Sequence, residues 1–153
     1  MGELGPAPKQ FDGNAPAAVH PNKTGVIELK ATQCRIYGEQ IVFEPKYQNI
    51  GHWSNPDDHV EWTITVQRPG KYSVWIDYAC PDHTSGNQIE FSCGAETLTG
   101  KIDGTGTWDD YRQVNLGTIE LAGPNQIAAL RSAGQLKKNL LDLRSVTLKP
   151  QNE

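Results

Sequence analysis

The chain has 153 residues, 14 Lys and Arg against 18 Asp and Glu, a formal net charge of -4 and 37% hydrophobic residues. That describes one domain of ordinary size with enough apolar material for a core. It excludes the basic surface that neutralises nucleic-acid phosphates, and no apolar run approaches the roughly 20 residues that span a bilayer.

Residues 1–25 hold Pro6, Pro8, Pro16 and Pro21 together with Gly2, Gly5, Gly13 and Gly25. Branched apolar residues are almost absent there, so the composition predicts a flexible arm or linker that buries too little surface to offset its ordering entropy. The start, MGELGPAPKQ, lacks the apolar centre of a secretory signal. Residues 26–150 read as the folded domain and 151–153 as a tail.

From Val26 the texture is that of short strands, expected at 26–36 and 41–44. HVEWTITVQ, residues 59–67, alternates strictly, with Val60, Trp62, Ile64 and Val66 on one face. A period of two marks a strand with one buried side. Arg68-Pro69-Gly70-Lys71 carries turn chemistry, and Tyr72, Val74, Ile76, Tyr78 and Cys80 then share a face. These two strands are expected to form a hairpin. Further strands are expected at 88–93, 95–98, 112–121, 126–131 and 140–149, the last preferred over a short helix because it ends in VTLKP. Turn signals at Tyr37-Gly38, Cys93-Gly94, Asp103-Gly104 and Ala122-Gly123-Pro124-Asn125 separate them. Many short strands at such spacing predict an all-β sandwich or jelly roll.

The motifs VIELKATQCRIYG, IGHWSNPDDHVEWTITV, RPGKYSVWIDYAC, GTGTWDDYRQVNLGTIELAG and NLLDLRSVTLKP follow one another over residues 26–150. In this order they resemble family 6 carbohydrate-binding modules and the wider galactose-binding-domain-like jelly rolls found as bacterial accessory modules. The resemblance implies an all-β sandwich that binds a glycan, without catalysis, in a loop cleft. A sugar face would stack on an aromatic ring while side-chain amides and carboxylates bond its hydroxyls. It implies Trp108, in the T-G-x-W motif, as one stacking ring. The second falls at His52, with Trp53 beside it as a substitute face or a core residue. Asp109, Tyr111 and Asn139 complete the implied binding set, Asn139 standing one residue from the family's position.

The family's structural calcium would use a first-strand Glu and the Asp of the last strand. Asp142 matches the second, but Lys30 occupies the first and Glu28 lies two residues earlier. The expectation is therefore no cofactor, with a Lys30–Asp142 salt bridge replacing the ion. The implied partner is an oligo- or polysaccharide, with a covalently linked catalytic domain in a larger exported protein, extracellular or periplasmic. A structural or protein-docking sandwich of a larger secreted enzyme or redox protein is the alternative.

Other constellations read as structure. His52, Asp57, Asp58 and His59 lack metal-ligand spacing, and Asn55-Pro56-Asp57-Asp58 reads as a polar turn with Asx bonding. Trp62 is expected in the core, while Trp75 points outward as a packing cover or a binding platform. Cys80 and Cys93 are expected on consecutive strands in a register too distant to bridge, so Cys34, Cys80 and Cys93 read as buried thiols. No carboxylate pair, nucleophile motif or phosphate loop suggests an enzyme.

Overall fold

The computed structural model describes residues 7–151. Eleven strands follow in chain order: β1 (Ile27–Lys30), β2 (Arg35–Tyr37), β3 (Val42–Glu44), β4 (Asn49–Gly51), β5 (His59–Thr65), β6 (Gly70–Ala79), β7 (Gln88–Cys93), β8 (Glu96–Lys101), β9 (Arg112–Leu121), β10 (Asn125–Ser132) and β11 (Asp142–Pro150). One sheet runs β3-β4-β11-β6-β9, with β1 also pairing β11, and the other runs β2-β5-β10-β7-β8. All named pairings are antiparallel. The molecule is the expected β-sandwich. The strand expected at 26–36 is broken by a 3-10 turn at Ala31–Gln33 into β1 and β2, which join opposite sheets, β4 was not expected, and the other strands lie close to their expected positions.

The alternation has its cause in the core between the sheets. Val60, Trp62 and Ile64 of β5 are buried, as are Tyr72, Val74, Ile76 and Tyr78 of β6. Facing residues such as Leu29, Phe91, Leu130, Leu143 and Val146 close the layer. Each fully buried aliphatic or aromatic side chain contributes about 1.5–3 kcal/mol of transfer free energy. Trp62 meets the expectation, buried with its indole N–H donating to the Lys30 carbonyl at 2.8 Å. Trp75 lies on the outer face, half-buried, its N–H on Ser73 Oγ at 3.1 Å and Lys149 Nζ 4.6 Å from the ring centroid.

The expected β5–β6 hairpin is not formed. β5 pairs β2 and β10, whereas β6 pairs β11 and β9 in the other sheet. The Arg68–Gly70 turn carries the chain across the core, and Tyr72 clamps it by donating its hydroxyl to the Arg68 carbonyl at 2.7 Å. Alternation and turn residues report a reversal and a buried face. They do not distinguish strands side by side from strands facing each other across a sandwich. The same reason corrects the cysteine register. Cys93 stands opposite Ala128 and Glu96, with no pairing to β6.

The arm also departs from expectation. Residues 1–6 of the 1–25 segment lie outside the described residues, but residues 7–25 are laid against the sandwich. β2 pairs only Glu61, Val60 and His59 of β5, leaving the edge of its second half open. Val19 fills it, donating to Thr63 O at 2.8 Å and accepting from Thr65 N at 2.9 Å, and is itself buried. Lys9 N bonds Ile36 O at 2.7 Å, Asn14 Nδ2 bonds the Ala31 and Cys34 carbonyls, and Phe11 packs on the core. Composition measures how much side chain a segment can bury. It does not register main-chain bonds offered by an unpaired strand edge.

The three cysteines are free and buried. Burial pushes the Cys34 thiol up to about 12 and those of Cys80 and Cys93 up to about 11. Thiolate is the reactive form, so the native protein should leave a thiol reagent unconsumed in weakly alkaline buffer. Three equivalents should react after denaturation. Rapid native labelling would contradict the burial.

Candidate functional site

One end of the sandwich opens into a cleft of about 530 Å³ lined by Glu44, Tyr47, His52, Trp108, Asp109, Tyr111, Asn139, Asp142 and Arg144. Four connections and two strand ends meet there. Glu44 ends β3, Tyr47 sits in the β3–β4 turn, and His52 follows β4 with φ 53°. Trp108, Asp109 and Tyr111 come from the β8–β9 loop, Asn139 from the β10–β11 loop, and Asp142 and Arg144 from the start of β11.

The β8–β9 loop is anchored at its base. Thr105 is buried, its N–H donating to Cys80 O at 2.7 Å while its Oγ1 accepts from Cys80 N at 2.9 Å. Tyr78 donates to Asp103 O at 2.8 Å. Beyond this anchor, Gly106 has φ 109°, a left-handed conformation that favours glycine. Thr107 Oγ1 then accepts from Asp109 N and bonds Asp110 Oδ2, both at 3.1 Å. The loop thus presents Trp108 half-buried on a braced turn. The Asn139 segment is braced by buried Thr84 and Asn87, whose Oγ1 and Nδ2 bond its carbonyl at 2.5 and 3.0 Å.

Charge is unevenly paired. Arg144 stacks its Cζ 3.9 Å from the Tyr111 ring centroid and forms a two-point pair with Asp77 at 3.2 and 3.3 Å. Glu44 accepts from Asn49 Nδ2 at 2.9 Å and lies 3.8 Å from His52 Nε2. Asp142 is pushed up to about 7, first by burial and then by the charge of Glu44. Burial, followed by the charge of Asp142, also raises the Tyr111 phenol.

Of the residues expected at a site, His52, Trp108, Asp109, Tyr111 and Asn139 line this cleft. Trp53 does not. It is buried, with its indole N–H on Asp58 O at 3.0 Å, and packs in the core as the side chain next to His52 on the opposite face. The Lys30–Asp142 salt bridge is not formed either. Lys30 lies 3.7 Å from Glu28 on the outer face, and β1 pairs β11 only from Ser145 to Leu148. Glu28 stands opposite Thr147, five residues and roughly 16 Å along the strand from Asp142 at ~3.3 Å per residue. Glu28 and Asp142 therefore do not share a calcium site. Among the described residues no group of three or more His, Cys, Asp or Glu is arranged to hold a metal ion.

Glu44, Tyr47 and Arg144 were missed. Arg144 was legible: it lies two residues after Asp142 in L-D-L-R, on the same face by alternation. Tyr47 is an aromatic in a two-strand turn, a position where binding residues concentrate. It is 54% exposed. Glu44 carried no signal, since nothing local places a strand-end carboxylate beside a residue nearly a hundred positions later.

No family model matches the sequence, and no curated protein matches it closely. Solved structures do match in shape. A family 35 carbohydrate-binding module from Clostridium thermocellum superposes with TM-score 0.68 at 12% identity, covering 80% of this chain and 96% of that one. The fold is that of carbohydrate-binding jelly rolls. A module of Cellvibrio mixtus lichenase 5A, solved with cellotriose, superposes at 0.63 with 16% identity over 82% of this chain and 97% of that chain. The Podospora anserina GH26-CBM35 β-(1,4)-mannanase matches at 0.62 with 14% identity, covering 86% of this chain and 29% of its own length. At such identities the likeness is one of fold, and function must be argued from the cleft itself.

Proposed function

We propose that this domain is a non-catalytic carbohydrate-binding module whose ligand lies in the β8–β9 cleft. The observation that carries the reading is the cleft's composition: the Trp108 ring on a braced loop, with Tyr47, Tyr111, His52, Asp109 and Asn139 around one opening. A pyranose offers an apolar C–H face and a rim of hydroxyls. The ring would take the face, and the amide, carboxylate and phenol would pair the rim, since unpaired hydroxyls are costly once desolvated. His52 supplies a smaller opposing surface than a phenol. The fold shared with sugar-binding modules supports the reading. Such modules occur within larger enzymes, as in the mannanase, so the parent protein is proposed to be exported, with a linked catalytic domain.

The test is a glycan panel titrated by tryptophan fluorescence, with calcium and with chelator. At least one glycan should bind, with equal affinity in both buffers. Trp108→Ala should weaken it by about 2 kcal/mol, roughly thirtyfold. A variant that binds every glycan as the parent does would remove the site, and a panel with no binder would remove the function.

A further inference from the structure

The cleft stands on its shape and aromatic walls; its charges decide which sugar fits, and this inference rests on the carbohydrate reading. The carboxylates of Glu44 and Asp142 converge over Gly51, where an added Cβ would press on Glu44 Oε1 and come within 3.1 Å of Asp142 Oδ1. Glu44 is built into place. Asn49, fully buried, spends its amide nitrogen on Glu44 while its own Oδ1 has no partner. The nearby cations are committed or peripheral. Arg144 is forked onto Asp77, Lys30 lies by Glu28, and Lys46 stands 5.2 Å over the Tyr47 ring. His52 is 71% exposed and reaches Glu44 only at 3.8 Å. Asp109 adds a third carboxylate to the lining. The cleft is thus an aromatic box with acidic charge and, among the described residues, no cation placed between Glu44 and Asp142.

We propose that the cleft selects a glycan bearing a free, protonated amine, an amino sugar, with its ammonium between Glu44 and Asp142 and its ring on Trp108. An ammonium supplies three donors and one positive charge. Charge-assisted bonds to two carboxylates are roughly twice as strong as neutral ones. The same groups disfavour a uronate, whose charge would meet like charge. They give an N-acetylated sugar only a neutral amide donor. The titratable and charged groups around Asp142 are Glu44 from β3, Tyr111 from the β8–β9 loop, Cys80 just after β6, and Arg144 from β11 with its partner Asp77 on β6. An ammonium there stabilises the charged carboxyl, so binding in weakly acidic buffer, where the sugar amine is already charged and Asp142 still holds its proton, releases a proton.

The test uses the whole chain and two oligosaccharides of equal length, one of glucosamine and one of N-acetylglucosamine, by calorimetry in weakly acidic buffer. The amine form should bind at least about tenfold tighter, and Glu44→Gln and Asp142→Asn should each weaken it about tenfold. In that weakly acidic buffer the parent's binding enthalpy should vary with the buffer's ionisation enthalpy, and that of Asp142→Asn should not. Both variants are checked for native circular dichroism. Equal binding of the two sugars, or amine binding unaffected by Glu44→Gln, overturns the inference. If neutral glycans bind through Trp108 while the amine form does not, the amino-sugar inference falls and the carbohydrate reading stands. If nothing in either set binds, both fall.

Discussion

Asp58→Ala is expected to destabilise the domain by about 3–5 kcal/mol, the loss read as a lowered midpoint in urea unfolding. Asp58 is almost fully buried at 1% exposure. Its Oδ1 accepts from Glu39 N at 3.0 Å, and its Oδ2 accepts from Gln40 N and Ile41 N at 3.1 and 2.9 Å. Alanine leaves those donors without the carboxylate that turns the chain from β2 into β3. Gly38 fits against it because a Cβ there would enter the Asp58 carboxylate. Asp58→Asn keeps one acceptor and should lose less. The consequence reaches the cleft, since the reversal sets the direction of β3 and so of Glu44. A loss below about 1 kcal/mol would mean the three N–H groups find other partners.

The second expected result concerns pH. The Asp142 carboxyl is pushed from 3.8 to about 7 by burial and by Glu44. In the unfolded chain it ionises near pH 4. Between about pH 4 and 7 the unfolded chain has given up a proton that the folded one still holds. The group therefore makes stability fall as pH rises through that window and level off above it. The undiscounted shift amounts to about 4 kcal/mol; solvent at the cleft mouth reduces this to about 2. Asp142→Asn should match the parent near pH 4 and exceed it by about 2 kcal/mol near pH 8. Comparing urea midpoints of the two proteins cancels the other titrating groups. A difference that does not change with pH would remove the buried-carboxyl account.

Both results turn on residues that read plainly as polar turn or strand positions. Asp57 and Asp58 follow Asn55-Pro56, and the Asx turn is there, with Asp57 N on Asn55 Oδ1 at 2.9 Å. What sequence does not reveal is that the next carboxylate turns inward to hold a loop some twenty positions earlier. Trp53 shows the same limit. Its neighbour His52 is on the cleft and Trp53 is in the core, and only the packing of the loop chooses between the two faces.

Local patterns, then, determined the class of fold and the strand positions, because a period of two, turn glycines and prolines, and buried apolar faces are encoded within a few neighbouring residues. They also singled out the Trp108 loop and, through L-D-L-R, the strand that carries Asp142 and Arg144. Tertiary structure alone decided the rest. Partner choice sent β5 and β6 to opposite sheets. An open strand edge drew in the segment around Val19. The meeting of β3, β4 and β11 brought Glu44 beside Asp142. Each of these depends on hydrogen bonds, desolvation or Coulomb interaction between residues distant in sequence, which alternation and composition do not record.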